Sequence, residues 1–253
     1  MGRGVQVTSL AYNAARNRAS TRQRRLLMVA ACRVRSDEFY DPRFALTLDT
    51  AELCADDPEA ETAANTRWVD VVTTREPTHS EDAVAQAVSS AWDLALNTEA
   101  WRVEGQSSQT RADLSRAVLL TLRPRPGTIL TGGEGDAVDY CLRALVTWHS
   151  FARSSTQAAR DRMARVRIAI AGISRDIFGN KTCPVSFDPS WLTSTVTTLA
   201  RQMYDSRDFS LMPILADALQ DSGCCDDQVL SHCRGPGPHV RGCWVVDGCL
   251  GKN

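Results

Sequence analysis

Cysteine and histidine residues are concentrated between Asp221 and Lys252, and their types and spacing suggest a metal site. This stretch holds five of the nine cysteines and two of the four histidines. Zinc takes four ligands in a tetrahedron, and mixtures of thiolate and imidazole supply them. The predicted ligands are Cys225, Cys233, His239 and Cys243, with Cys224 and His232 as alternates. His239 and Cys243 are four residues apart, so we expect them on one helical face, folded back by the Gly-Pro-Gly-Pro turn against the helix that bears Cys233.

Two other interpretations of the same residues stay open. The stretch contains no Cys-x-x-Cys pair, which is the strongest zinc signature. Cysteines also serve as small apolar side chains in a core, and the run Cys243-Trp244-Val245-Val246 favours that role. A redox or nucleophilic cysteine is disfavoured at Cys224-Cys225, because the neighbouring acids Asp226 and Asp227 oppose thiolate formation.

Catalytic and nucleotide-binding motifs are absent from the sequence. It contains neither Gly-x-Ser-x-Gly nor His-Glu-x-x-His, and the glycine-rich run 131–135 lacks the Gly-Lys-Ser/Thr ending of a phosphate-binding loop. We therefore predict no catalytic residue and no cofactor apart from zinc. The chain is expected not to be an enzyme, and an enzyme of unrecognised type is the alternative.

The elements that carry these residues are predicted to be helices. Apolar residues recur at spacings of three and four, and Ser, Thr, Asp and Pro residues mark helix starts. Helices are expected at 20–35, 41–54, 58–72, from 80 to about 95, and at 112–122, 136–153, 157–178, 193–204 and 211–220. The only strand-like piece, 185–187, is too short to build a sheet. The predicted fold is all-α, an irregular multi-helix bundle or array with a compact helical C-terminal tail.

A cluster of proline and glycine residues suggests that the chain is divided into two regions. The run 124–135 is rich in both and is predicted to be a loop or linker. It separates an N-terminal helical region, 1–123, from a C-terminal helical region, 136–253. The two long helices at 136–153 and 157–178 are expected to form an antiparallel hairpin.

Charge is distributed unevenly near the N-terminus. Residues 1–35 carry eight arginines and no acid, whereas residues 36–61 carry nine acids and one arginine. Neighbouring segments of opposite sign are expected to pair within the fold. The alternative is a nucleic-acid contact through Arg16, Arg18, Arg22, Arg24 and Arg25, although a net charge of −1 argues against a general role in coating nucleic acid.

The location of the protein is predicted from what the sequence lacks. Its first residues contain no apolar run of a secretion signal, and no window has 18 uninterrupted apolar residues. Nine cysteines without such a signal are typical of reduced thiols. We therefore expect a cytoplasmic protein with no membrane partner.

The C-terminal segment from Ser174 to Lys252 resembles a known group of sequences. The strings SRDIFGN, FDPSWLTSTVTTLARQMYDSRDFSLMPILADALQDSGC and VLSHCRGPGPHVRGCWVVD are similar to the C-terminal part of a large paralogous family of uncharacterised planctomycete proteins. The resemblance implies a shared fold and a bacterial cytoplasmic setting, and it transfers no catalytic residue. Cys225 stands where the family has an acid, and Gly248-Cys249 replaces an aliphatic pair, which is expected to weaken the last helix.

Together these observations favour a non-enzymatic helical protein that binds or scaffolds another protein. The absence of catalytic motifs, the near-neutral charge and membership of a paralogous set carry this hypothesis. The alternative is a small zinc-binding module in the C-terminal tail, with nucleic-acid contact through the arginine-rich N-terminus.

Overall fold

Helices are the regular secondary structure of the described residues. The computed structural model of the chain describes residues 19–38, 41–74, 82–96, 117–122, 138, 141–142, 156–180 and 183–252. Within these ranges there is no strand, and the piece 185–187 lies in a non-helical connector. The predicted all-α fold is therefore confirmed.

The chain divides into two compact units, Met1–Ile170 and Ala171–Asn253. The division falls inside one long helix, Gln157–Phe178, whose bounds agree with the predicted range. The predicted linker 124–135 lies outside the described residues. So does the predicted helix 136–153, apart from residues 138, 141 and 142, which are helical and buried.

Ahead of residue 97, the described part of the first unit contains four helices and a short 3-10 turn. They are α1 (Thr21–Arg33), the turn Ser36–Glu38, α2 (Arg43–Asp56), α3 (Pro58–Thr74) and α4 (Ala83–Leu96). Helix α2 packs against α1, α3 and α4, and α3 also packs against α4. The long helix Gln157–Phe178 is α5.

Local capping explains where α1 begins. Ser20 Oγ accepts a hydrogen bond from the Gln23 amide at 3.1 Å, and Gln23 Oε1 accepts one from the Ser20 amide at 3.2 Å. This reciprocal capping box satisfies two amides at a helix N-terminus that otherwise lack partners. The predicted start at Ser20 or Thr21 is confirmed.

The opposite charges of the N-terminal segments do pair. Arg22 bonds Asp56 at 2.8 Å, and the fully buried Arg25 bonds Glu61 at 2.7 Å. Arg33 contacts two further acids, Asp49 and Glu52. Two of the five arginines considered for nucleic-acid contact, Arg22 and Arg25, are thus engaged within the unit, while 16 and 18 lie outside the described residues.

The second unit is built from the end of α5 and four shorter helices. They are α6 (Ser194–Ser206), α7 (Met212–Asp221), α8 (Asp227–Arg234) and α9 (Trp244–Leu250), with a 3-10 turn at Pro189–Trp191. Helix α6 contacts α7 and α9, and α8 contacts the same two helices. Their buried faces form one apolar core that includes Val196, Met203, Leu215, Val229, Cys233 and Val246.

Gly248 has a packing role in this core. A Cβ atom at Gly248 would lie only 2.2–2.5 Å from ring atoms of Phe187. The bare backbone of α9 therefore lets the Phe187 ring pack against it, edge-on to Trp191 and Trp244. Glycine lowers the stability of a helix, but at this position it allows a close aromatic contact that any other residue would prevent.

Among the described helices, none combines the length and the hydrophobicity that crossing a membrane requires.

Candidate metal centre

Four polar side chains converge inside the second unit. Asp176 comes from α5, His232 from α8, His239 from the loop after α8, and Cys243 from the residue before α9. Each offers one potential ligand atom, and these atoms all lie within 4.8 Å of one another. Three separate segments, α5, α8 and the loop after α8, thus place a carboxylate, two imidazoles and a thiol close together.

Helix α8 determines the direction of His232. Asp226 caps this helix by accepting hydrogen bonds from the amides of Gln228 and Val229, at 2.8 and 3.2 Å. The apolar face of α8 carries Val229 and Cys233 into the core. His232 precedes Cys233 and is rotated by about 100° around the helix axis. It therefore points away from the apolar core, towards the polar group.

The loop between α8 and α9 places the other two tail ligands. Residues 235–240 are not helical, and both Gly237 and Gly242 have positive φ angles, +76° and +98°. The expectation that His239 and Cys243 lie on one helical face is therefore wrong. The physical reason is local, since the two prolines lack an amide hydrogen and the glycines favour turn conformations over a helix.

Asp176 is the centre of the hydrogen bonding. Its Oδ1 lies 2.8 Å from His239 Nδ1 and 3.0 Å from His232 Nε2, and its Oδ2 accepts a bond from the Val240 amide at 2.9 Å. The carboxylate is 2% exposed. Burial acts to raise the pKa of Asp176, but the hydrogen bonds from His232 and His239 outweigh it and lower the pKa. The buried group is therefore a carboxylate anion held by three N–H donors.

His232 is shared between two partners at the same nitrogen. Its Nε2 is 3.0 Å from Asp176 Oδ1 and 3.2 Å from Cys243 Sγ. The ring nitrogen carries at most one proton, and a protonated thiol beside it can donate its own. A cation bound at this point would contact all three atoms.

The thiol of Cys243 is fully buried and protonated in the absence of a cation. Burial, and then the negative charge of Asp176, raise the pKa of Cys243 well above its ordinary value, while the backbone amides of Val245 and Val246 act in the opposite direction. Metal ions bind the thiolate, and a metal cation reverses the local electrostatics that keep the proton on sulfur.

His239 has one unused polar atom. Its Nε2 is buried and, among the residues described, has no hydrogen-bond partner. The side chain is 9% exposed, and its ring lies against that of His232 with centroids 4.9 Å apart. The imidazole is therefore held in place by its Nδ1 contact with Asp176 and by the ring contact with His232, and its Nδ1 faces the other three potential ligand atoms.

The structure brings together His239, Cys243 and the alternate His232, and adds Asp176. Of the other predicted ligands, Cys225 is exposed, while Cys224 and Cys233 are buried in the apolar core, outside the group. The pKa of Cys233 is raised to about 12, and burial is the largest cause of that shift. The polar group therefore draws one cysteine from the tail, and Cys233 fills the core, as the apolar interpretation of these cysteines expects.

Asp176 was missed by the sequence analysis, because it precedes the nearest tail ligand by more than fifty residues. A signal did exist in the sequence. Gly172 lies within an otherwise good helical pattern four residues before this acid, and glycine in a helical pattern often marks a close approach of another segment.

The geometry differs from that of a cysteine nucleophile. In a Cys-His-Asp arrangement the thiol and the carboxylate contact opposite nitrogens of the imidazole, so that one orients what the other activates. Here both contact Nε2 of His232. Cys243 is moreover fully buried, so a substrate has no access to the sulfur.

The group fits a tetrahedral zinc ion after a small expansion. Zinc bond lengths of 2.0–2.3 Å place neighbouring ligand atoms about 3.3–3.6 Å apart. The hydrogen-bonded pairs lie at 2.8–3.2 Å and the widest pair within 4.8 Å, which brackets that spacing. Two imidazoles, a thiolate and a carboxylate are also ligands that zinc accepts.

Comparisons of the chain with protein-family models, with curated proteins and with solved structures found no match. The resemblance of Ser174–Lys252 to planctomycete proteins stays a prediction. The observation that bears on function is the convergence of Asp176, His232, His239 and Cys243.

Proposed function

We propose that the second unit is a zinc-binding module in which Asp176, His232, His239 and Cys243 hold one ion. The observation that supports this proposal best is the convergence at His232 Nε2, which lies within 3.2 Å of both a buried carboxylate oxygen and a buried sulfur. Two imidazole nitrogens, a carboxylate oxygen and a sulfur, all atom types that zinc accepts, thus share one point inside the unit. A divalent cation at this point would replace the thiol proton and bind the resulting thiolate.

The role of the ion is structural on this proposal. Four protein ligands complete the coordination shell of zinc, whereas catalytic sites keep one position open for water or substrate. The ligand set also differs from that of a copper electron-transfer site, in which two histidines and a cysteine are joined by a weak, distant axial ligand. Asp176 Oδ1 lies 2.8 and 3.0 Å from the two histidine nitrogens, which is as close as His232 Nε2 lies to Cys243 Sγ at 3.2 Å. Asp176 therefore acts as an equal fourth ligand.

A closed structural site is consistent with the expectation of a non-enzymatic protein. The ion would stabilise a small helical unit whose surface can serve in binding another protein, which is the function class that the sequence favours. Nucleic-acid contact has less support, because Arg22 and Arg25 are already engaged in ion pairs with Asp56 and Glu61.

Metal analysis of the purified full chain tests the proposal directly. We expect one zinc per chain, and a cobalt-substituted form with the absorption of a tetrahedral site containing one sulfur ligand. The substitution Cys243→Ser should lower zinc affinity by more than about 100-fold, beyond the range known for residues that only support a ligand. Competition with a chelator of known affinity measures the change.

Two cysteine variants provide matched controls. Cys225→Ser alters an exposed thiol that lies outside the group, and Cys233→Ala alters a thiol as fully buried as that of Cys243. Both should keep the zinc affinity of the unaltered chain. If Cys225→Ser and Cys233→Ala lowered zinc affinity as strongly as Cys243→Ser does, the ligands would be those predicted from the sequence instead. A chain that takes up no zinc or cobalt would refute the proposal.

A further inference from the structure

Asp176 lies near the C-terminal end of α5, between Gly172 inside the helix and Gly179, the residue that follows its last turn. Gly172 precedes it by four residues and Gly179 follows it by three. In an α-helix such spacings bring side chains to the same face, so the carboxylate projects from a strip of bare backbone. The loop that carries His239 and Cys243 lies against this strip, since its Val240 amide bonds Asp176.

Gly172 makes room for the residue that precedes His239. A Cβ atom at this position would lie 2.6 Å from Cδ and 3.0 Å from Cγ of Pro238, whereas ordinary contact begins near 3.4 Å. The backbone of Gly172 is helical and any residue could adopt it. Glycine is therefore required here for space, and the space is occupied by the chain neighbour of a ligand.

Gly179 makes room for the residue that follows Cys243. A Cβ atom at Gly179 would lie 3.0–3.2 Å from three ring atoms of Trp244. Its φ angle of +56° also favours glycine, as is common for the residue that ends a helix. The Trp244 ring in turn lies 5.2 Å from that of His232, so its position affects two ligands.

We propose that Gly172 and Gly179 are positioning residues of the metal centre, which together set its affinity by letting Pro238 and Trp244 contact α5. The inference rests on the proposed zinc site. Each glycine acts on one ligand through its chain neighbour, Gly172 on His239 and Gly179 on Cys243. A metal site must hold its ligands within about 0.5 Å of the productive geometry. An added Cβ that forces Pro238 outwards exceeds that tolerance.

Alanine substitution tests this proposal, because each glycine has a matched control in the same unit. Ala216→Val matches Gly172→Ala, since both add atoms to a packed position in a helix, and Ala216 lies on α7, which carries none of the four ligands. Gly251→Ala matches Gly179→Ala, since its φ angle is +66° and nothing lies within 4 Å of the added atom. Unfolding midpoints of all four variants record the general cost of each substitution.

Zinc affinity of the full-length variants, and the absorption spectrum of their cobalt forms, provide the readout. Gly172→Ala and Gly179→Ala should each lower zinc affinity roughly 10–100-fold, the range typical of groups that support metal ligands. Their cobalt spectra should shift as the ligand geometry changes. The two controls should keep the affinity and the spectrum of the unaltered chain, even where they lower the unfolding midpoint.

Each outcome decides between specific alternatives. Unchanged affinity and spectrum in Gly172→Ala would overturn the positioning role while leaving the zinc site intact. An equal loss in Ala216→Val would also overturn it, because general destabilisation would then explain the result. If Gly172→Ala does not fold, the comparison of Gly179→Ala with Gly251→Ala decides. An unaltered chain that binds no metal would refute both the zinc site and the role of the glycines.

Discussion

The two units each bury a polar assembly, and the two assemblies are completed in different ways. In the first unit, fully buried Arg25 donates to Glu61 at 2.7 Å and to the Thr121 carbonyl at 3.0 Å. In the second, Asp176 and Cys243 both lie beside one nitrogen of His232. The first assembly joins opposite charges and gives Nη1 and Nη2 of the Arg25 guanidinium separate acceptors. The second brings together a carboxylate, two imidazoles and a thiol whose potential ligand atoms lie within 4.8 Å of one another.

This difference shows which buried polar groups carry their own counter-charge and which gather the ligand atoms of a cation. The Arg25 guanidinium is paired with an acid of its own unit, although its Nε has no partner among the described residues. The second assembly instead offers, at one point, the atom types that zinc accepts. Function is therefore sought at the cluster of ligand atoms, and the following predictions test that distinction.

The largest expected difference between the assemblies is their response to zinc. Zinc at 100 times its dissociation constant should stabilise the second unit by about 2.7 kcal/mol, because it binds only the folded form. Hydrogen exchange should therefore slow at 171–178 and 232–243 when zinc is added and accelerate when it is chelated. Helices α1 and α2 around Arg25 should show no change.

Segment-resolved mass spectrometry provides this measurement, with magnesium as the control ion. Magnesium prefers octahedral oxygen ligands and should have no effect on either unit. Equal protection of both units by zinc, or none in 232–243, would remove the proposed distinction between the assemblies.

Removing the charge of Arg25 should have the next largest effect. Arg25→Met keeps most of the buried stem but leaves the Thr121 carbonyl without its donor and Glu61 without its counter-ion. The expected loss is about 1–3 kcal/mol in the free energy of unfolding, and it should be the same with and without zinc. Chemical denaturation at both conditions measures it.

The control for Arg25 is an exposed ion pair of the same unit. Arg162 contacts Asp37 with side chains 42% and 65% exposed, so Arg162→Met should change stability by less than about 1 kcal/mol. A zinc-dependent loss in Arg25→Met, or a similar loss in both variants, would contradict the interpretation of Arg25 as a self-contained assembly.

The smallest expected effect concerns a solvent-facing pair with the same chemistry as Arg25 and Glu61. Hydrogen bonds from Arg43 hold the pKa of Asp41 below its usual value. Because the folded form has the lower pKa, this pair stabilises the fold above the unfolded pKa of about 3.9, and the contribution disappears as pH falls through the folded value. Asp41→Asn should therefore reduce the loss of stability below about pH 4, by less than about 1 kcal/mol.

Urea unfolding at pH 3 and pH 6 measures this contribution. The double variant Asp41→Asn/Arg43→Met should behave like Asp41→Asn alone if the pair is its source. An additional effect in the double variant would assign the acid sensitivity to another partner of Arg43.

Local sequence signals predicted the helices well because capping and periodicity act over a few residues. The bounds of α5 follow from its apolar spacing, and Ser20, Asp57 and Thr193 mark helix starts as expected. The fold between 235 and 243 was predicted less well. A spacing of four between His239 and Cys243 suggested a helix, but the glycines and prolines between α8 and α9 favour a loop.

The candidate site could be predicted only in part, because its ligands come from distant segments. His232, His239 and Cys243 were all considered, since they share one short stretch. Asp176 lies on another helix, and no rule of local spacing connects it to the tail. Cys233 was included because its type suits zinc, yet it is adjacent to His232 on a helix and the two must point in different directions.

The strip of bare backbone on α5 turns the site into a pattern that can be searched for in other sequences. Asp176 and its flanking glycines spell Gly-x3-Asp-x2-Gly, and the tail ligands spell His-x6-His-x3-Cys, with 52 residues between the two halves. The first half marks the part of α5 that the loop between α8 and α9 contacts, and the second half spans that loop. A genome searched for both halves in order would reveal chains in which the same four side chains can meet, including chains that lack a Cys-x-x-Cys pair.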